Sequence, residues 1–76
     1  MTNVIGMTTN HAETVGAAVR AELARKRISQ SALAEKLHLS QTAVSRRLNG
    51  KKAFDVNELA VVADVTGVPV DRLAAA

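Results

Sequence analysis

Two short apolar helical faces are separated in this chain by three residues, and that spacing restricts the fold more than any other feature. Leu33, Ala34 and Leu37 recur at helical spacing on one side, and Val44 and Leu48 do so on the other. The intervening His38-Leu39-Ser40 is too short for anything but a corner. Leu39 can plug that corner as an apolar side chain, while the Ser40 hydroxyl can accept the free amide protons of the next turn. Ala34 is small where two helices meeting at a steep angle come close. The spacing predicts a helix-turn-helix over residues 30–49.

On a wheel of about 100° per residue, the second of these helices, about Gln41 to Asn49, places Gln41, Thr42, Ser45, Arg46 and Asn49 together. Val44 and Leu48 lie opposite, flanked by Ala43 and Arg47. One edge is thus buried and the other offers amide, hydroxyl and guanidinium groups. Those groups match the major-groove edges of DNA: Gln pairs bidentately with adenine, Arg with guanine, and a Thr methyl can touch the thymine methyl.

Charge placement supports the same reading. The whole chain carries 10 Lys and Arg against 7 Asp and Glu, a net +3. Residues 36–54 hold Lys36, Arg46, Arg47, Lys51 and Lys52 with no acid, whereas residues 55–76 hold Asp55, Glu58, Asp64 and Asp71 against Arg72 alone. The positive pole coincides with the reading helix, which favours a polyanionic partner over an ordinary mixed surface.

The run Ile28-Ser29-Gln30, Leu33-Ala34, His38-Leu39-Ser40-Gln41, Val44-Ser45-Arg46 and Asn49-Gly50-Lys51 resembles the Cro and phage-repressor (XRE-type) helix-turn-helix family. Phe54-Asp55-Val56, Leu59-Ala60, Val62-Ala63, Thr66-Gly67-Val68-Pro69-Val70 and Leu73 extend the likeness without a gap over about residues 15 to 75. The resemblance implies an all-α fold, a compact five-helix bundle of the lambda-repressor-like DNA-binding type. It also implies a sequence-specific transcriptional regulator, most simply a phage or prophage Cro-like or immunity repressor. Gln41 and Thr42 would reach base edges, with Ser45 and Arg46 following on the same face. Gln30 would anchor to a phosphate, and Asn49-Gly50-Lys51-Lys52 resembles the family's phosphate-contacting loop; Ser40 and Arg47 complete the expected phosphate set. Two positions depart from the family. His38 stands where Gly is usual, at a turn position that often needs positive φ. Arg47 stands where many relatives are apolar, so either Leu48 takes the core contact while Arg47 snorkels outward, or the helix is rotated slightly.

Helix signals divide the rest of the chain. Residues 1–9 read as a loose tail and residues 10–76 as one domain. Asn10 with Glu13 forms a capping box ahead of the stripe Val15, Ala18, Val19 and Leu23, which ends in Arg25-Lys26-Arg27. Ser29 caps helix two, Ser40 helix three, and Gly50 suits a left-handed C-terminal residue. Asp55 with Glu58 forms a second capping box before Leu59, Val62, Ala63 and Thr66; Gly67 closes helix four and Pro69 begins helix five.

Other function classes find little in the sequence. There is no Cys, so disulfides and thiolate metal sites are excluded, and His11 and His38 lack companions for a metal. No cofactor or small-molecule ligand is expected. No nucleophile elbow, phosphate-cradling Gly-rich loop or carboxylate pair suggests an enzyme. No apolar run approaches about 18 residues and no signal peptide is recognisable, so a cytoplasmic location is expected. The expected partner is double-stranded DNA. A homodimer on a palindromic site would use Val68, Val70, Leu73 and the final alanines; a monomer would occupy one half-site. Residues 1–10 contain no Arg or Lys, which argues against a minor-groove arm. An antitoxin-type regulator, an architectural or recombination-directionality DNA binder, and a protein-interaction module docking on helices four and five are the competing readings.

Overall fold

Four of the five helices begin where a short polar side chain satisfies amides that a helix leaves free, and the fifth follows Pro69 without such a cap. In the computed structural model, which describes residues 10–75, the order is α1 (His11–Lys26), α2 (Gln30–Leu37), α3 (Gln41–Leu48), α4 (Val56–Thr66) and α5 (Val70–Ala74). The tail expected over residues 1–9 lies outside the described residues. Asn10 Oδ1 accepts from the Glu13 amide at 2.8 Å while Glu13 Oε1 accepts from the Asn10 amide at 3.1 Å, the reciprocal box read from the sequence. Asp55 and Glu58 repeat it on α4. The Ser29 and Ser40 hydroxyls each accept an amide three residues on, at 3.0 Å, and so start α2 and α3.

Three helices end on one hydrogen-bond pattern. The amides of Ile28, Leu39 and Lys51 donate back to the carbonyls of Leu23, Ala34 and Arg46 at 2.9, 3.0 and 2.8 Å. This six-to-one closure needs a left-handed residue just past each helix: Arg27 at φ 58°, His38 at φ 56° and Gly50 at φ 76°. Ile28 and Leu39, next in sequence, pack on the core and fix the exit of α1 and α2. Gly50 meets the conformation without a Cβ. His38 adopts it with one, so the turn keeps the positive φ usual at this position and is not reshaped, and Arg27 does the same unannounced by any glycine.

The core is aliphatic with a single aromatic ring. Val15, Val19 and Leu23 of α1 join Leu33 and Ala34 of α2, Val44 and Leu48 of α3, Phe54 from the following loop, Leu59 and Val62 of α4, then Val68 and Leu73. Each Val, Leu or Phe among them contributes about 1.5–3 kcal/mol when fully buried. The α1 helix packs against α3, α4 and α5, and α2 against α3 and α4. Among the described residues there is no strand, so the expected all-α five-helix architecture is the observed one. Val68 and Leu73 are core residues, which removes both from the apolar surface expected to serve a dimer; Val70 is itself half-buried against the core.

One close approach sets α3 against α1. A Cβ added to Gly16 would sit 2.6 Å from the Arg47 carbonyl oxygen and 2.7 Å from that of Leu48. Gly16 therefore lets the backbones touch at the C-terminal end of α3.

The turn between α2 and α3 offers a direct check of local strain. A left-handed conformation costs a side-chain-bearing residue about 1–2 kcal/mol, of which the flexibility of glycine returns about 0.5–1 kcal/mol. His38→Gly is therefore expected to raise stability by about 0.5–1 kcal/mol, read as a higher urea midpoint at unchanged slope.

Candidate nucleic-acid interface

The outward edge of α3 is set by what its inward edge buries. Val44 and Leu48 are in the core, which turns Gln41, Thr42 and Arg46 outward as exposed residues and leaves Ser45 half-exposed. Asn49, at the C-cap, is also exposed and closes that face. Ser40 is engaged as the α3 cap, its hydroxyl accepting from the Ala43 amide. Gln30 opens α2, exposed, immediately after the Ser29 cap. Lys51 and Lys52 are exposed in the loop after Gly50, with both backbone amides turned back onto the Arg46 carbonyl.

Arg47 does not join this surface. Its residue is 7% exposed, with Nε donating to Glu58 Oε1 at 3.0 Å, Nη2 to Glu58 Oε2 at 3.2 Å and Nη1 to the Ala43 carbonyl at 2.9 Å. The expectation that Arg47 snorkels outward to a phosphate is corrected. Leu48 does take the core contact, but the guanidinium folds under α3 and ties it to α4 in a two-pronged pair. Glu58 Oε1 also accepts from the Asp55 amide at 3.0 Å, so one carboxylate caps α4 and holds α3.

A second arginine arrives from outside the motif. Arg20 of α1 donates through Nη1 to the Leu48 carbonyl at 3.3 Å and to Asn49 Oδ1 at 3.2 Å. Asn49 Nδ2 in turn donates to Ser45 Oγ at 3.4 Å, a long bond. Ser45 and Asn49, expected as base and phosphate contacts respectively, are thus joined to each other and to α1. Elsewhere, a shallow open groove is lined by Ala60, Ala63, Asp64, Gly67, Val68 and Pro69. No group of metal-ligating side chains occurs among the described residues, and none of their helices is long and apolar enough to cross a membrane.

With the cap, corner and outward face in place, the comparison with known families is decisive: a helix-turn-helix family model matches residues 19–73. The chain belongs to the helix-turn-helix family of the Cro and phage-repressor type. As a helix-turn-helix protein it falls among DNA-binding transcription regulators. It is similar to the crystal structure of the clp gene regulator ClgR from C. glutamicum, with a TM-score of 0.80 and 30% sequence identity over 90% of this chain and 92% of that one. No curated protein matches the chain.

Within this helix-turn-helix frame, the two residues that sequence reasoning misplaced or missed are both arginines with distant partners. Arg47 has no acid within four residues, and its partner Glu58 lies eleven positions on. Arg20 is 29 positions from Asn49. The available signal was the spacing Glu13, Gly16, Arg20, one face of α1. Glu13 lies where a Cβ on Gly50 would fall, Gly16 meets the α3 carbonyls, and Arg20 caps them.

The Arg47–Glu58 pair predicts a measurable coupling between α3 and α4. Its side chains are 9% and 16% exposed, and removing one member of such a pair leaves a poorly solvated charge. Arg47→Ala is expected to destabilise the fold by about 2–3 kcal/mol. In a double-mutant cycle with Glu58→Ala, measured by urea unfolding, the losses should be non-additive by about 1–2 kcal/mol. Simple additivity would mean that the pair does not hold the helices together.

Proposed function

We propose that this chain is a sequence-specific regulator of double-stranded DNA, with α3 in the major groove and α2 lying across the backbone near its N-terminal end. The observation that carries this reading is the coincidence of an outward face of exposed Gln41, Thr42 and Arg46 with half-exposed Ser45 and a segment, residues 36–54, that contains no acid. In this account those four residues contact base edges. Gln30, Ser40, Asn49, Lys51 and Lys52 contact phosphates, Ser40 through the helix start it organises, and so fix register without reading sequence. Arg47 stabilises α3 from beneath instead.

The output we infer is repression, because a small domain seated in the groove of a promoter occludes polymerase. A bacterial cytoplasm, where such a promoter is accessible, is the setting this implies. The likeness to a gene regulator of C. glutamicum supports a cellular regulator alongside a phage Cro-like or immunity repressor. Two copies on a palindrome would stand about 34 Å apart, and with Val68 and Leu73 committed to the core, little of the expected α5 surface remains to join them.

Selection of duplexes from a random pool tests this account directly. An enriched site is expected, with affinity falling steeply as salt rises. Gln41→Ala should cost about 1–3 kcal/mol and relax preference at one base position, whereas Lys51→Ala should weaken all duplexes alike and reduce the salt slope by about 1. Equal losses from both variants on selected and scrambled DNA would refute this division of roles.

A further inference from the structure

We propose that Arg20, on α1 and outside the helix-turn-helix, is a DNA-phosphate contact that also positions the reading helix. The proposal rests on the DNA-binding reading above and adds a residue to it. The guanidinium reaches the C-terminal end of the α3 outward face, where Nη1 is shared between the Leu48 carbonyl at 3.3 Å and Asn49 Oδ1 at 3.2 Å. Among the described residues nothing takes its Nε or Nη2 protons, and Arg20 as a whole is exposed. A planar fork held by one prong keeps its remaining donors fixed in direction, which suits a phosphate better than a freely rotating chain does.

Place in the fold decides which part of DNA the fork meets. Gln41, Ser45 and Asn49 succeed one another at four-residue steps along α3, so a cation bound to Asn49 sits at the edge of the reading face. Phosphates wall the groove on either side of the bases, and an edge cation meets a wall. The same bond orients the Asn49 amide. With Oδ1 facing Arg20, Nδ2 faces Ser45 Oγ, which leaves the Ser45 proton as the group that can be donated away from the protein. Charge placement agrees: Arg47 is neutralised by Glu58, and Arg20 restores a cation at the other side of the α3 terminus. The other α1 arginine does not share the arrangement, since Arg25 pairs with Glu22 at 2.9 Å.

The test is a salt titration of the full chain on its pool-selected duplex and on a scrambled duplex, with wild type, Arg20→Gln, Arg20→Lys and Arg25→Gln. Arg20→Gln should bind both duplexes about five- to tenfold more weakly, with a salt slope shallower by about 0.9. Arg20→Lys should regain the slope, and Arg25→Gln should match wild type. An Arg20→Gln variant that folds and keeps the wild-type slope, or an Arg20→Lys variant as shallow as the Gln one, overturns the proposal and leaves Arg20 a helix cap. If Arg20→Gln does not fold, the Nε–Hε resonance of Arg20 in the wild type decides: a shift on adding duplex is expected, and its absence overturns the contact. A wild type that binds no duplex fails differently, because it removes the DNA-binding reading itself.

Discussion

An eight-residue helix cannot hold its own shape in water, and α3 is eight residues long. Every property assigned to its outward face is therefore borrowed from contacts elsewhere. Ser40 starts it, Val44 and Leu48 press it onto the core, Arg47 ties it to Glu58 of α4, and Gly16 with Arg20 fixes its far end to α1. These ties come from three directions, so the helix can neither roll about its axis nor slide along it. A recognition surface needs that rigidity, because bidentate contacts to base edges tolerate little angular error.

The electrostatic consequence differs from a count of charges along the sequence. The acid-free segment carries five cations, but one of them, Arg47, is spent within the fold on an acid from the following helix. Arg20 enters the same neighbourhood from α1. What α3 and its loop present is thus Arg46, Lys51 and Lys52 with Arg20 at the edge, a mainly positive surface bordered by Glu13 of α1 beside Gly50, on a chain whose net charge is only +3. Asymmetry of this kind concentrates the field of a nearly balanced protein where a polyanion would bind.

The sequence made the fold legible wherever the governing interaction was local. Capping boxes at Asn10 and Asp55, serine caps at Ser29 and Ser40, and the left-handed Gly50 and Gly67 all act within a few residues, and each appears where its residue type predicts. The left-handed His38 was signalled only by the resemblance, since the family usually has Gly at that turn position, and a differently shaped turn was the open alternative. Arg27 could not be foreseen, since nothing in an arginine announces that conformation; the apolar Ile28 that follows, docking back on the core, was the available hint. The outward face of α3 was likewise legible from periodicity alone. The fate of Arg47 was not, because a guanidinium on the flank of a helix can turn toward solvent or fold under it, and the deciding carboxylate belongs to another helix. Glu58 was correctly read as a cap, but its second duty depends on how α4 lies against α3, which is a property of the assembled core.

The most direct test of the account is an amide NMR titration of the labelled chain with its selected duplex. The largest shifts are expected over Ser40 to Lys52, with smaller ones at Gln30 and Arg20 and none over the groove from Ala60 to Pro69. Shifts confined to α4 and α5, or no shifts with any duplex, would contradict the claim that α3 is the reading element.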